Sequence, residues 1–140
     1  MRIITKEIIM ELVNKISSCK DDVVFVGSLV YSVNGELDRS PNDIDIVVTS
    51  LDGLERFGEV ICYDSVSVFA KDSKRCIIEG NEVLIDIWLR DELPEWEIID
   101  GIKYQTVVSQ IKHYQDIKDS TDDKFIKQYI DKWQRSYVIK

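Results

Sequence analysis

Histidine is almost missing from this chain of 140 residues: His113 is the single one. Histidine-rich metal sites and Ser-His-Asp catalysis therefore have little to draw on, and any chemistry falls to carboxylates. Three cysteines, Cys19, Cys62 and Cys76, are odd in number, widely spaced and in no CxxC arrangement. They read as reduced, small core residues rather than a disulfide frame or zinc site. Only two prolines are present and no linker-like tract, which favours a single domain over residues 1–140. No run approaches the roughly 20 apolar residues needed to span a membrane. Lys6, Glu7 and Glu11 break up the charged-then-apolar layout of a signal peptide. The expectation is a cytoplasmic protein with no membrane partner.

What is present is charge, unevenly placed. Residues 1–101 hold 10 Lys and Arg against 21 Asp and Glu, while residues 102–140 hold 8 against 5. An acidic front of −11 suits a cation site better than non-specific nucleic-acid binding. The mildly basic tail could meet an anionic acceptor but reads first as a solvated helix face.

Periodicity sets out the elements. Ile9, Leu12, Val13 and Ile16 mark an amphipathic helix over residues 5–19. Val23-Val24-Phe25-Val26 is a short buried strand ended by Gly27-Ser28, followed by one or two helical turns over 29–35 and a loop over 38–42. Strands are expected at 43–49, 60–63, 66–70, 74–78, 82–89, 96–99 and 102–104. Two helices close the chain. The first covers 106–118, with Val107, Val108, Ile111 and Tyr114 inward. The second covers 122–134, with Phe125, Ile126, Tyr129, Ile130 and Trp133 inward and Ser120 or Thr121 as cap. This order implies an α/β (α+β) fold with helices packed on a mixed β-sheet.

Asp43-Ile44-Asp45-Ile46 carries the sharpest signal. On a strand, side chains two apart share a face, roughly 6.5–7 Å from each other. Both carboxylates can thus point one way while Ile44 and Ile46 anchor the other face in the core. Aspartate is a poor strand former, and like charges on one face repel. A divalent cation would offset that cost. Asp86 makes the same point independently, as the only charge in Val83-Leu84-Ile85-Asp86-Ile87-Trp88-Leu89. A lone carboxylate in a strand that reads as buried should be paired or metal-bound. Hard oxygen donors of this kind suit Mg2+ or Mn2+ together with phosphates. Gly27 lets the backbone approach a ligand closely, and its N–H and the Ser28 hydroxyl could hold phosphate oxygens.

Gly27-Ser28, a spacer of fourteen residues, Asp43-Ile44-Asp45-Ile46 and the later Asp86 resemble the DNA polymerase β-like nucleotidyltransferase superfamily. The match runs in motif order over residues 23–89, and the flanking helices agree in type. The resemblance implies that Asp43 and Asp45 coordinate two Mg2+ (or Mn2+) ions and that Asp86 completes the site and helps activate an acceptor hydroxyl. It implies that Gly27 and Ser28 hold a nucleoside triphosphate such as ATP. The acceptor class, whether small molecule, RNA end or protein hydroxyl, is not written in the motif, since Leu29, Val30 and Tyr31 follow Gly-Ser where the minimal branch often has arginine and a second glycine.

Two other readings stand beside this one: a catalytically inactive nucleotide or metal sensor, and a toxin–antitoxin or phage-defence component acting through a protein partner. A short chain with little room for an acceptor domain also suits a homo-oligomer. Trp88 shares the Asp86 face, where it could stack on a base, but reads first as core. Arg39, Lys71, Lys74 and Arg75 could contact phosphates but read first as solvated surface, as do Lys103 and Lys112, and His113 reads as a surface or helix-packing residue. The transferase reading requires the three carboxyl groups to converge beside Gly27. A lysine or arginine filling that spot would contradict it.

Overall fold

Alternation along each strand gives the two faces of a mixed sheet different chemistry. The computed structural model describes residues 5–35, 43–63, 73–79 and 83–135, with the side chains of 133–135 excepted. The elements are α1 (Lys6–Cys19), β1 (Val23–Val26), α2 (Ser28–Val33), β2 (Asp43–Val48), a 3-10 turn (Leu54–Phe57), β3 (Val60–Cys62), β4 (Lys74–Ile78), β5 (Leu84–Leu89), β6 (Trp96–Ile99), β7 (Ile102–Gln105), α3 (Val107–Ser120) and α4 (Lys124–Arg135). Among the described residues the strands form one sheet in the order β3-β4-β5-β2-β1-β7-β6. The pairs β2–β5 and β1–β7 are parallel, and the other four pairs are antiparallel. The expected mixed α/β architecture is present. The expected strand at 66–70, the loop at 38–42, and the side chains of Arg39, Lys71 and Trp133 lie outside the described residues.

One face is the core. Phe25, Ile44, Ile46, Ile85, Ile87 and Tyr104 point to it and are buried, and α1 covers them with Ile9, Val13 and Ile16, each fully buried. Removing each such side chain from water contributes about 1.5–3 kcal/mol. Thr5 caps α1 by accepting from the Ile8 N–H. Beneath α1, buried Lys20 ties β1 to the end of β2. Its Nζ donates to the Ser50 hydroxyl and the Asp52 carbonyl and pairs with Asp22 at 2.9 Å. Burial works to raise the Asp22 pKa, but hydrogen bonds from Lys20, Thr49 and Ser50 win and hold it down to about 2.

Three sequence expectations are corrected. The inward stripe assigned to α3 and α4 is narrower than expected: Val108 is 77% exposed and Phe125 71%, with Ile111 and Tyr129 also exposed. On α3, the buried Gln110 faces the sheet and bonds to Gly27. At about 100° per residue, Ile117 falls near the same direction as Gln110 while Val108 falls almost opposite. Ile117 is accordingly buried, and on α4 Ile130 is buried as expected. The cap of α4 is Asp123, which accepts from the N–H groups of Phe125 and Ile126, rather than Ser120 or Thr121. The cysteines are not all reduced, because Cys62 and Cys76 form a disulfide and only Cys19 is free. The two half-cystines are register partners across β3 and β4. The neighbouring pair carries the ladder bond from Tyr63 N–H to the Arg75 carbonyl. That leaves Cys62 and Cys76 at a non-hydrogen-bonded position, where antiparallel side chains come closest.

Candidate functional site

The second face of the sheet carries the acidic residues. Asp43, Asp45 and Val47 alternate onto it from β2, and Asp86 and Trp88 from β5. Parallel pairing sets Asp45 directly beside Asp86. Ligand oxygens of Asp43, Asp45 and Asp86 come within 4.8 Å of one another. The convergence expected of these three residues is therefore observed. Like charges at adjacent register positions are destabilising. Burial first, then the charges of Asp43 and Asp86, pushes the Asp45 carboxyl well above its ordinary range, with Arg75 pulling the other way.

These carboxylates form one wall of a cavity of about 330 Å3. Gly27 and Val26 lie at its floor with Asp45, and Arg75, Trp88 and Arg90 line the β4–β5 side. Gln110, His113 and Tyr114 from α3 and Tyr129 from α4 close the other side. Burial, with Asp45 and two tyrosines nearby, raises the Tyr114 pKa, so its phenol stays protonated beside the acidic cluster. His113, read from sequence as surface or helix packing, stands on the cavity wall.

Gly27 has a different role from the one its N–H suggested. That N–H donates to Gln110 Oε1 at 2.8 Å, and the Gly27 carbonyl accepts from Gln110 Nε2 at 3.0 Å. The amide is fully committed to the turn, so the expectation that the Gly27 N–H serves a phosphate is corrected. The glycine is needed for space and conformation instead. Its backbone sits at φ 72°, ψ −145°, and a Cβ there would lie 2.4 Å from Asp45 Oδ2. Asp45 is thus packed against the bare face of Gly27. Ser28 is buried at 3% exposure, and the cavity wall takes in Gly27 but not Ser28.

Arg75, whose first reading is solvated surface, is 40% exposed and also ion-paired. On β4 it pairs with Trp88, which makes it a diagonal neighbour of Asp86 on the same face. Its Nε and Nη2 both donate to Asp86 Oδ1, at 3.2 and 2.8 Å. An arginine thus stands at the aspartate cluster, the circumstance set against a cation site in the sequence reading, and it lines the same cavity as the three aspartates.

The donor set fits a hard divalent cation. Three carboxylates share a small volume, Asp45 among them is costly to ionise, and no sulfur or imidazole ligand joins the cluster of described residues. Among the described residues, no helix is long and apolar enough to cross a membrane.

No protein-family model matches the chain, and no curated protein matches it. Among solved structures, the crystal structure of JHP933 from Helicobacter pylori is similar, with a TM-score of 0.51 and 16% identity over 84% of this chain. The chain spans 56% of that protein's length. At this identity the likeness is one of fold alone.

Proposed function

We propose that this chain is a divalent-cation-dependent nucleotidyltransferase that moves a nucleoside monophosphate from a triphosphate to an acceptor hydroxyl. The observation that carries the proposal is the convergence of Asp43, Asp45 and Asp86 on one cavity beside the Gly27 turn. In it, Asp43, Asp45 and Asp86 hold Mg2+ or Mn2+ through carboxylate oxygens. When bound, such a cation would offset charge on phosphate oxygens and lower the pKa of an acceptor hydroxyl. Gln110 keeps the Gly27 turn in the shape on which the Asp45 carboxylate rests. Trp88, half-buried on the cavity wall, offers an aromatic face to a base.

The acceptor is a small molecule, an RNA end or a protein hydroxyl. The test is incubation with α-labelled nucleoside triphosphates, Mg2+ and cell extract, with products sorted by size class. Label should pass to one class, and Asp45→Asn should cut transfer by at least about 100-fold. Undiminished transfer by that variant would remove the assignment.

A second reading draws on the apolar residues that α3 and α4 leave in water, Val108 and Phe125 above all. A partner protein or a second copy of the chain would cover them. The mass in solution should then exceed that of one chain, or a stoichiometric companion should co-purify. A clean monomer with no companion argues against it.

A further inference from the structure

The transferase reading leaves Arg75 unexplained. Its guanidinium has three partners: Asp86 Oδ1 at 2.8 Å, the Tyr63 ring at 5.5 Å and the Trp88 ring at 5.6 Å. Its own side chain is 40% exposed while that of Asp86 is 10% exposed. Both rings attract the guanidinium independently of the carboxylate. The guanidinium also borders the cavity that the aspartates share.

Asp86 is therefore offered to two cations at once. A divalent ion held by Asp43, Asp45 and Asp86 competes with Arg75 for the same carboxylate. A ligand with phosphate oxygens in the cavity competes with Asp86 for the same guanidinium, which can bind it in bidentate fashion. From this geometry we infer that Arg75 is an exchangeable counter-ion: it neutralises Asp86 in the cation-free protein and passes to the phosphates of the incoming triphosphate when a divalent cation takes Asp86. The inference rests on the cation reading above and adds a positioning residue to it. No covalent bond changes in the exchange, only which anion the guanidinium faces.

The exchange has a signature that a structural role lacks, because the two ligands respond in opposite directions. Arg75→Gln should tighten binding of Mg2+ alone by about 10-fold, as the competing ion pair is gone. The same variant should weaken binding of inorganic triphosphate in saturating Mg2+ by about 10-fold or more, as a charge-assisted donor is lost. Arg75→Lys keeps the charge but loses the fork and much of the stacking. It should lie near wild type for Mg2+ and between the two for triphosphate. Calorimetric titration of the intact chain reads both affinities, and circular dichroism confirms that each variant is folded.

Changes in the same direction, or no change in either affinity for a folded Arg75→Gln, overturn the exchange while wild-type Mg2+ binding leaves the transferase reading standing. Wild-type protein that binds no Mg2+ or Mn2+ at millimolar concentration overturns both. Should Arg75→Gln fail to fold, Trp88→Leu supplies the second measurement. Loosening one stacking face should weaken triphosphate binding without weakening Mg2+, and loss of both refutes the proposal.

Discussion

Asp45→Asn should make the cation-free protein more stable near neutral pH, by on the order of 1–2 kcal/mol or roughly 3–8 °C at this chain length. Asp45 sits beside Asp86 in register, shares a face with Asp43 and packs onto Gly27. Ionising it there costs more than in the unfolded chain, where its pKa is near 3.8. A group with a raised folded pKa contributes its full stability below the unfolded value, and that contribution is lost as pH rises through the folded one. The difference between variant and wild type should thus be small near pH 4 and grow toward neutrality. Mg2+ should reverse the order. Wild type should gain about 2.7 kcal/mol once the ion reaches 100 times its dissociation constant, and the variant little. Thermal melts across pH with and without Mg2+ check both parts. A variant less stable than wild type in cation-free buffer at pH 7, with an unaltered Mg2+ response, would defeat the account of the cluster.

Gly27→Ala should be among the most damaging single methyl additions in this chain, costing about 3 kcal/mol and roughly 10 °C. Two costs combine. The backbone at φ 72°, ψ −145° lies where residues with a Cβ are strained. The new methyl would also stand 2.4 Å from Asp45 Oδ2 and 3.2 Å from Asp45 Cβ, so rotating the carboxylate away does not clear it. Turning the peptide to relieve the strain is opposed by Gln110, which holds both the N–H and the carbonyl of residue 27. Stability and Mg2+ response should therefore fall together. In an Asp45→Ala background the contacts with the carboxylate disappear while the 3.2 Å approach to Cβ and the backbone strain remain, so the same methyl should cost measurably less. A melting temperature within about 2 °C of wild type for Gly27→Ala would show that the contact is not close in solution.

Legibility from sequence followed how local each determinant was. The strand carrying Asp43 and Asp45 and the one carrying Asp86 were readable because a charge inside a β-branched run is a local contradiction. Their convergence followed from alternation once the two strands were taken as neighbours. Arg75 escaped because Lys74-Arg75 looks like a solvated pair. Counting alternation from buried Cys76 would have put Arg75 on the Asp86 face. The disulfide escaped because register between β3 and β4 is fixed by what joins them, not by either strand. Gln110 had no readable signal at all: its partner is 83 residues away, and a glutamine in a helix usually means solvent. With Gln110 facing the sheet, Val108 falls on the opposite side of α3, against the expected apolar face.

Parallel pairing between β2 and β5 also makes the acidic cluster a matter of parity. Sliding β5 by one residue would bring Ile85 or Ile87 to the position of Asp86 and drive the carboxylate into the hydrocarbon layer under α1. No intermediate alignment keeps a good interior with a poor cluster, so the same folding event that closes the interior delivers the carboxylates. Loss of the cluster in this architecture would come through changed side chains on an intact backbone.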